Sequence, residues 1–180
     1  MVKNCPIWDI PIVIEIWIIH SLQKSNKMTQ RVNFHEKGKQ AIGALYGLGK
    51  YLAKSTIETS LLNLIYFRVS QINGCAFCLD MHSKDLRAEG ETEQRLYLLS
   101  AWRESPFYTS KECAALAWAE SLTKLADSLV PDDIYADAAR YFSDTELIEL
   151  TIAVIQINSY NRLNIAFGGP VGTYVVGQFA

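Results

Sequence analysis

From Phe34 onward apolar residues recur at a helical interval, and strand-like alternation of comparable length appears nowhere in the chain. Ala41, Leu45, Leu48 and Leu52 share one side of a helix. Gly38, Gly43, Gly47 and Gly49 each weaken that helix by up to about 1 kcal/mol, so packing has to hold it. Ser55 and Glu58 stand at capping-box spacing and predict a helix start there. Leu61, Ile65, Val69 and Ile72 then form a stripe that ends at the helix-stopping pair Asn73-Gly74. The next helix is expected from Cys75 to Ala88, with Gly90 as its stop, and a shorter one from Thr92 to Trp102, closing before Ser105-Pro106. Thr109 and Glu112 repeat the capping spacing and open a helix carrying Ala115, Trp118, Ala119, Leu122 and Leu125. Pro131, Asp132 and Asp133 suit the first turn of another. Ser143 and Glu146 cap the last long helix. Its apolar positions Leu147, Ile148, Leu150, Ile152, Val154, Ile155 and Ile157 almost encircle it, which marks a central helix or one buried in a subunit contact. Residues 168–172 read as a loop, and Tyr174 to Phe179 as a tail that packs onto the body or a neighbour. The fold class is all-α.

Composition narrows the organisation. A chain of 180 residues that is 49% hydrophobic builds one substantial core and is short for two, so a single domain is expected. With 17 basic and 19 acidic side chains, and no basic block, the chain lacks a phosphate-neutralising surface for nucleic acid. Four cysteines do not make a disulfide scaffold at this size, and a reducing cytoplasm fits them. The apolar run Ile10 to Ile19 is interrupted by Pro11 and Glu15 and falls short of the ~20 residues that span a bilayer, so no membrane insertion is expected. Only Lys3 precedes that run, and a polar stretch instead of a small-residue cleavage site follows it. Residues 1–27 therefore read as an N-terminal extension outside a domain spanning 28–180, with Met28 the expected natural start; a peripheral or partner-docking segment is the alternative.

The chemistry concentrates in Gly74-Cys75-Ala76-Phe77-Cys78-Leu79-Asp80-Met81-His82. On a helix Cys78 and His82 lie about 60° and about 20° from Cys75 around the axis, so one face carries all three. Haem attachment needs histidine directly after the second cysteine, where Leu79 stands. A structural zinc site normally shows two ligand pairs, and zinc here would have to recruit Cys113 or Cys5. Zinc binding and a purely structural pair of buried cysteines remain the alternatives to dithiol redox chemistry. A thiol with a pKa of ~8.5 is mostly protonated at neutral pH. The first turn of a helix, with unpaired N–H groups and the positive dipole end, favours the thiolate, and His82 one turn beyond Cys78 is placed to take its proton. A peroxide would oxidise one thiolate to sulfenic acid that the second thiol condenses with, and the same pair would also exchange with an external disulfide. Spacing alone does not decide between these activities.

The run Leu64 to His82, with its S-Q-I-N-G-C-A-x-C-x-x-x-H core, resembles the centre of the AhpD-like alkylhydroperoxidases within the carboxymuconolactone decarboxylase superfamily, and Asn158 to Phe167 is similar to that family's closing helix. The likeness covers about Phe34 to Tyr174. It implies an all-helical subunit in homo-oligomers, commonly trimers or hexamers, and a peroxide- or disulfide-reducing dithiol cycle without a metal or organic prosthetic group. Electrons would come from a partner dithiol, either a lipoyl protein or a thioredoxin-like protein. By the resemblance Cys78 attacks the peroxide, Cys75 resolves, and His82 relays the proton. Helix position by itself would make Cys75 the more acidic thiol. Two positions depart from the family pattern. Asn63 stands where a glutamate often completes the relay, and Phe77 where the best-studied members carry a second histidine; Glu58, about 140° around the helix from Asn63, is a weak substitute. The expected activity is thus a peroxidase of modest efficiency or a disulfide exchanger. Its rivals are a carboxymuconolactone decarboxylase proper, which has no evident use for two cysteines, and a non-enzymatic redox-sensing assembly module.

Overall fold

The computed structural model describes residues 30–125 and 129–179. The expected extension 1–27 and Met28 lie outside the described residues. Within them the chain forms eight α-helices, one 3-10 segment and no strand: α1 Phe34–Lys37, α2 Lys39–Leu52, α3 Thr59–Asn73, α4 Ala76–Ala88, α5 Glu93–Leu98, the 3-10 segment Leu99–Glu104, α6 Ser110–Thr123, α7 Asp132–Ala138 and α8 Asp144–Phe167. Helix α3 is the hub, packed against α4, α6 and α8. Its Ile65 and Val69 are fully buried with Leu150 and Val154 of α8 and Ala115 and Ala119 of α6. Its Leu64 and Phe67 face the other way, toward Leu86, Leu99, Trp102 and Leu116. None of the helices among the described residues is long and apolar enough to cross a membrane.

Two of the three expected capping boxes form in full: Thr109 with Glu112, and Ser143 with Glu146, each exchange side-chain and backbone bonds. The third does not. Ile57 is drawn into the core, so the chain stays in a turn through Ser55–Ile57, and α3 begins at Thr59 with Glu58 at its N-cap and no side-chain cap bond. Ser55 Oγ is left buried without a partner, and Glu58 pairs with Lys111 at 3.6 Å. The stretch expected as one helix to Trp102 is α-helical only to Leu98. The tighter 3-10 turn that follows buries both Leu99 and Trp102, three residues apart, on the same side. Helix α8 also differs from its apolar pattern: it buries Leu147, Leu150, Val154 and Ile157, whereas Ile148 and Ile155 are 64% and 49% exposed.

A buried carboxylate ties three elements together. Glu120 of α6 accepts from Arg68 Nε of α3 at 2.7 Å, from Arg103 Nη1 at 2.6 Å and from the Trp102 indole at 3.0 Å. Burial alone would push its pKa up, but the bonds from Arg103, Trp102 and Arg68 outweigh it and hold the carboxyl below its usual value.

After α8 the chain turns at Gly168, whose left-handed φ of 72° suits glycine, and the tail returns over α4. Gly172 N donates to Asp80 Oδ2 at 3.0 Å, Lys84 Nζ donates to the Tyr174 carbonyl at 3.1 Å, and the Tyr174 hydroxyl donates to Asp85 Oδ1 at 2.7 Å. The tail thus packs onto the body, over the helix that carries the cysteines.

Candidate active site

The site begins where α3 stops. Gly74 adopts φ 67°, ψ 34°, a left-handed cap that turns the chain sharply from α3 into α4. A row of buried and half-buried polar side chains pins this turn to α8. Asn73 Nδ2 donates to Asn158 Oδ1 at 3.0 Å and Asn161 Oδ1 at 2.8 Å. Asn161 Nδ2 donates to Ser70 Oγ at 3.1 Å, and Ser70 Oγ donates to the Tyr66 carbonyl at 2.7 Å. The Cys75 N–H closes the turn on the Ser70 carbonyl at 3.1 Å. With every member bonded, the network stabilises one register of the turn.

Both cysteines were expected in the first helical turn; the structure refines that. Cys75 is the N-cap of α4, with extended φ −83° and ψ 96°, and its Sγ accepts the Cys78 N–H at 3.4 Å, the bond a capping serine would take. Cys78 sits three residues on, inside the turn. The two sulfurs are bonded to each other across a Cα–Cα distance of 5.3 Å, a separation that a disulfide spans without backbone movement. Each cysteine is 1% exposed. Gly169 lies so close that a Cβ there would collide with the Asn164 side chain and come within 3.2 Å of Phe77 Cβ. Phe77 is thus a packing residue.

His82 lies on α4 as the spacing predicts, but it is 7% exposed and neither ring nitrogen has a hydrogen-bond partner, so it is not bonded to either sulfur in this disulfide state. Its ring packs against Tyr66, centroids 5.4 Å apart. Burial lowers its pKa to about 4, so at neutral pH it is an uncharged imidazole able to accept a proton. The unfolded chain binds a proton near 6.5 and the folded one does not until about 4, so folding stability is complete above pH 6.5 and falls as the pH drops toward 4. Urea unfolding should show wild type losing about 1.4 kcal/mol per pH unit more than His82→Leu across that window, and equal slopes would contradict the buried, unpartnered ring.

The relay position departs from the family pattern in an informative way. Asn63 Nδ2 donates to Glu89 Oε1 at 2.7 Å, so this residue is tied to the far end of α4. Glu58 is engaged with Lys111 and does not replace the missing base. Cys113, one of the residues a zinc site would have recruited, packs beside Tyr108 with its thiol pKa raised by burial, and Cys5 lies outside the described residues. No group of three or more candidate metal ligands forms among the described residues.

One residue of the site escaped the sequence reading. Asn164 of α8, 6% exposed, donates its amide to Cys78 Sγ at 3.7 Å and to the Tyr160 carbonyl at 3.0 Å. Its sequence signals are its place in the Asn158 to Phe167 run and a three-residue spacing from Asn161.

An all-α bundle with a bonded cysteine pair at the start of an internal helix, Cys75 as its cap and Cys78 in its first turn, defines the class. The chain belongs to the carboxymuconolactone decarboxylase family and is AhpD-like: that family's model matches residues 39–121. It is 42% identical over 141 residues to YdfG of Bacillus subtilis (strain 168), an uncharacterised protein, covering 78% of this chain and 96% of that one. Among solved structures it is similar to ATU0492 of Agrobacterium tumefaciens, a protein of unknown function proposed to be the antioxidant defence protein AhpD, at 39% identity and TM-score 0.77 over 81% of this chain and 100% of that one. It is also similar to the debrominase Bmp8 in its apo form, at 25% identity and TM-score 0.68 over 77% of this chain and 74% of that one.

Proposed function

We propose that the protein is a thiol-dependent peroxidase of antioxidant defence, cycling Cys75 and Cys78 between dithiol and disulfide. The observation that carries this reading is the cysteine pair at the N-terminus of α4, where an orphan N–H already points at a sulfur and the pair closes without backbone motion. In the first half-reaction the Cys78 thiolate attacks the near peroxide oxygen. An S–O bond forms, the O–O bond breaks, and the alcohol leaves with a proton. The Cys75 thiolate then attacks the sulfenic sulfur, forming the S–S bond and releasing water. Neutral His82 takes the thiol proton as an ion pair, the thiolate formed beside it raising the basicity that burial lowers. A donor dithiol, lipoyl or thioredoxin-like, supplies two electrons and two protons to restore the pair.

Burial favours a small diffusible hydroperoxide as the oxidant over a protein disulfide, because each cysteine is 1% exposed and the Asn164 amide packs against Cys78 Sγ. A protein reductant requires that the segments covering the two cysteines move aside. The exposed Ile148 and Ile155 of α8, beside a cavity of about 320 Å³ lined by Trp118, Tyr135, Leu147 and Ile152, suit a homo-oligomer of trimer or hexamer type. The reaction places no demand on a metal, and a cytoplasmic location suits a dithiol that must be re-reduced. The test is to treat the fully reduced protein with stoichiometric hydroperoxide and count thiols by peptide-resolved mass. Two thiols should vanish into a Cys75–Cys78 bridge with consumption of one peroxide, and an unchanged count overturns the reading.

A further inference from the structure

We infer that the Asn164 side-chain amide is a catalytic group that holds Cys78 as a thiolate; the inference deepens the dithiol reading and rests on it. Nδ2 carries two protons. One is committed to the Tyr160 carbonyl at 3.0 Å, one turn back on α8, which also fixes the orientation of the amide, since Oδ1 in that place would face another oxygen. The other proton has Cys78 Sγ, at 3.7 Å, as its acceptor. The donor is 6% exposed, so water does not compete for it, and the sulfur it meets is 1% exposed.

A disulfide sulfur is a weak acceptor and a thiolate a strong one, so this bond gains most of its strength when the bridge is reduced and the charge appears. The effect is differential. It favours Cys78 thiolate over Cys78 thiol, and the reduced pair over the disulfide. The two sulfurs are thereby supported from different sources. Cys75 is served by the backbone N–H of α4, and Cys78 by a side chain of α8 together with its place inside the first turn. This asymmetry accounts for how the sulfur farther from the helix end can be the attacking one, although helix position alone favours Cys75. The position of Asn164 is in turn set by close packing of the tail. The Gly169 N–H bonds the Asn164 carbonyl at 3.0 Å, and no side chain fits at Gly169 without displacing the amide.

The experiment follows the Cys78 Cβ carbon resonance of the fully reduced protein against pH, a site-specific measure of the thiol that needs neither substrate nor access for a reagent. Replacing Asn164 by leucine should raise the Cys78 midpoint by about one pH unit, and the near-isosteric Asn164→Asp should raise it further by adding a like charge, with the shift at Cys78 larger than any at the coupled Cys75. In wild type the Asn164 side-chain amide resonances should move with the Cys78 midpoint, and this movement should vanish in Cys78→Ser. That measurement stands even where the variants do not fold. An unchanged Cys78 midpoint in the folded variants, or wild-type amide resonances indifferent to the Cys78 titration, overturns the inference. Absence of peroxide turnover with the titration behaving as expected would overturn the peroxidase reading alone.

Discussion

Replacing Cys78 by serine should lower hydroperoxide turnover by about a thousandfold or more and also abolish the first stoichiometric reduction, because the sulfur proposed to attack is gone. Cys75→Ser should lower steady-state turnover as severely yet leave that first reduction intact, ending in sulfenic acid or a mixed disulfide at Cys78, since only the resolving step is lost. Rapid-mixing measurement of peroxide loss, followed by mass analysis of Cys78, separates the two variants. The reverse pattern would assign the attack to Cys75, whose Sγ receives the Cys78 N–H at the helix cap. Full hydroperoxide turnover in both variants would overturn the dithiol mechanism.

The second large effect concerns stability. Glu120→Ala leaves Arg68, with a side chain 11% exposed, as a buried cation whose carboxylate is missing, and strips the Trp102 indole of its acceptor. Removing one partner of a buried pair costs about 3–5 kcal/mol. Urea unfolding at neutral pH should show a loss of that size, against a much smaller one for Arg103→Ala, whose side chain is 56% exposed. Equal losses in the two variants would mean that the cluster is not the clamp between α3, α6 and the 3-10 segment. The lowered Glu120 pKa adds a pH signature distinct from that of His82. Its stabilisation is present above the ordinary value of 4.5 and fades as the pH falls below it, whereas the His82 contribution is already fading between 6.5 and about 4.

Most helices were legible because helix formation is signalled within a few turns of chain. The stripe Leu61, Ile65, Val69, the stop at Asn73-Gly74 and the boxes at Thr109 and Ser143 are local patterns, and each does locally what its spacing predicts. The errors occurred where a distant partner overrode a local preference. Ser55 lost its capping role because Ile57 is worth more in the core than the cap bond is at the surface. The segment after Leu98 tightened because the 3-10 turn brings Leu99 and Trp102 to one buried side. Of the apolar circumference of α8, the chain itself covers Leu147, Leu150, Val154 and Ile157 and leaves Ile148 and Ile155 exposed.

The amino-acid sequence by itself determined the all-α class, the family likeness and the dithiol with its histidine, because thiol spacing and helix boundaries are properties of neighbouring residues. Tertiary structure alone decided the environment of those groups: that Cys75 is a cap, that His82 is uncharged and unpartnered, that the tail folds back over α4, and that Asn164 reaches Cys78 from 86 residues away. The reason is physical. The electrostatics of a buried sulfur or imidazole depend on which dipoles are packed against it and which waters are excluded, and both are set by contacts between segments that no local pattern encodes.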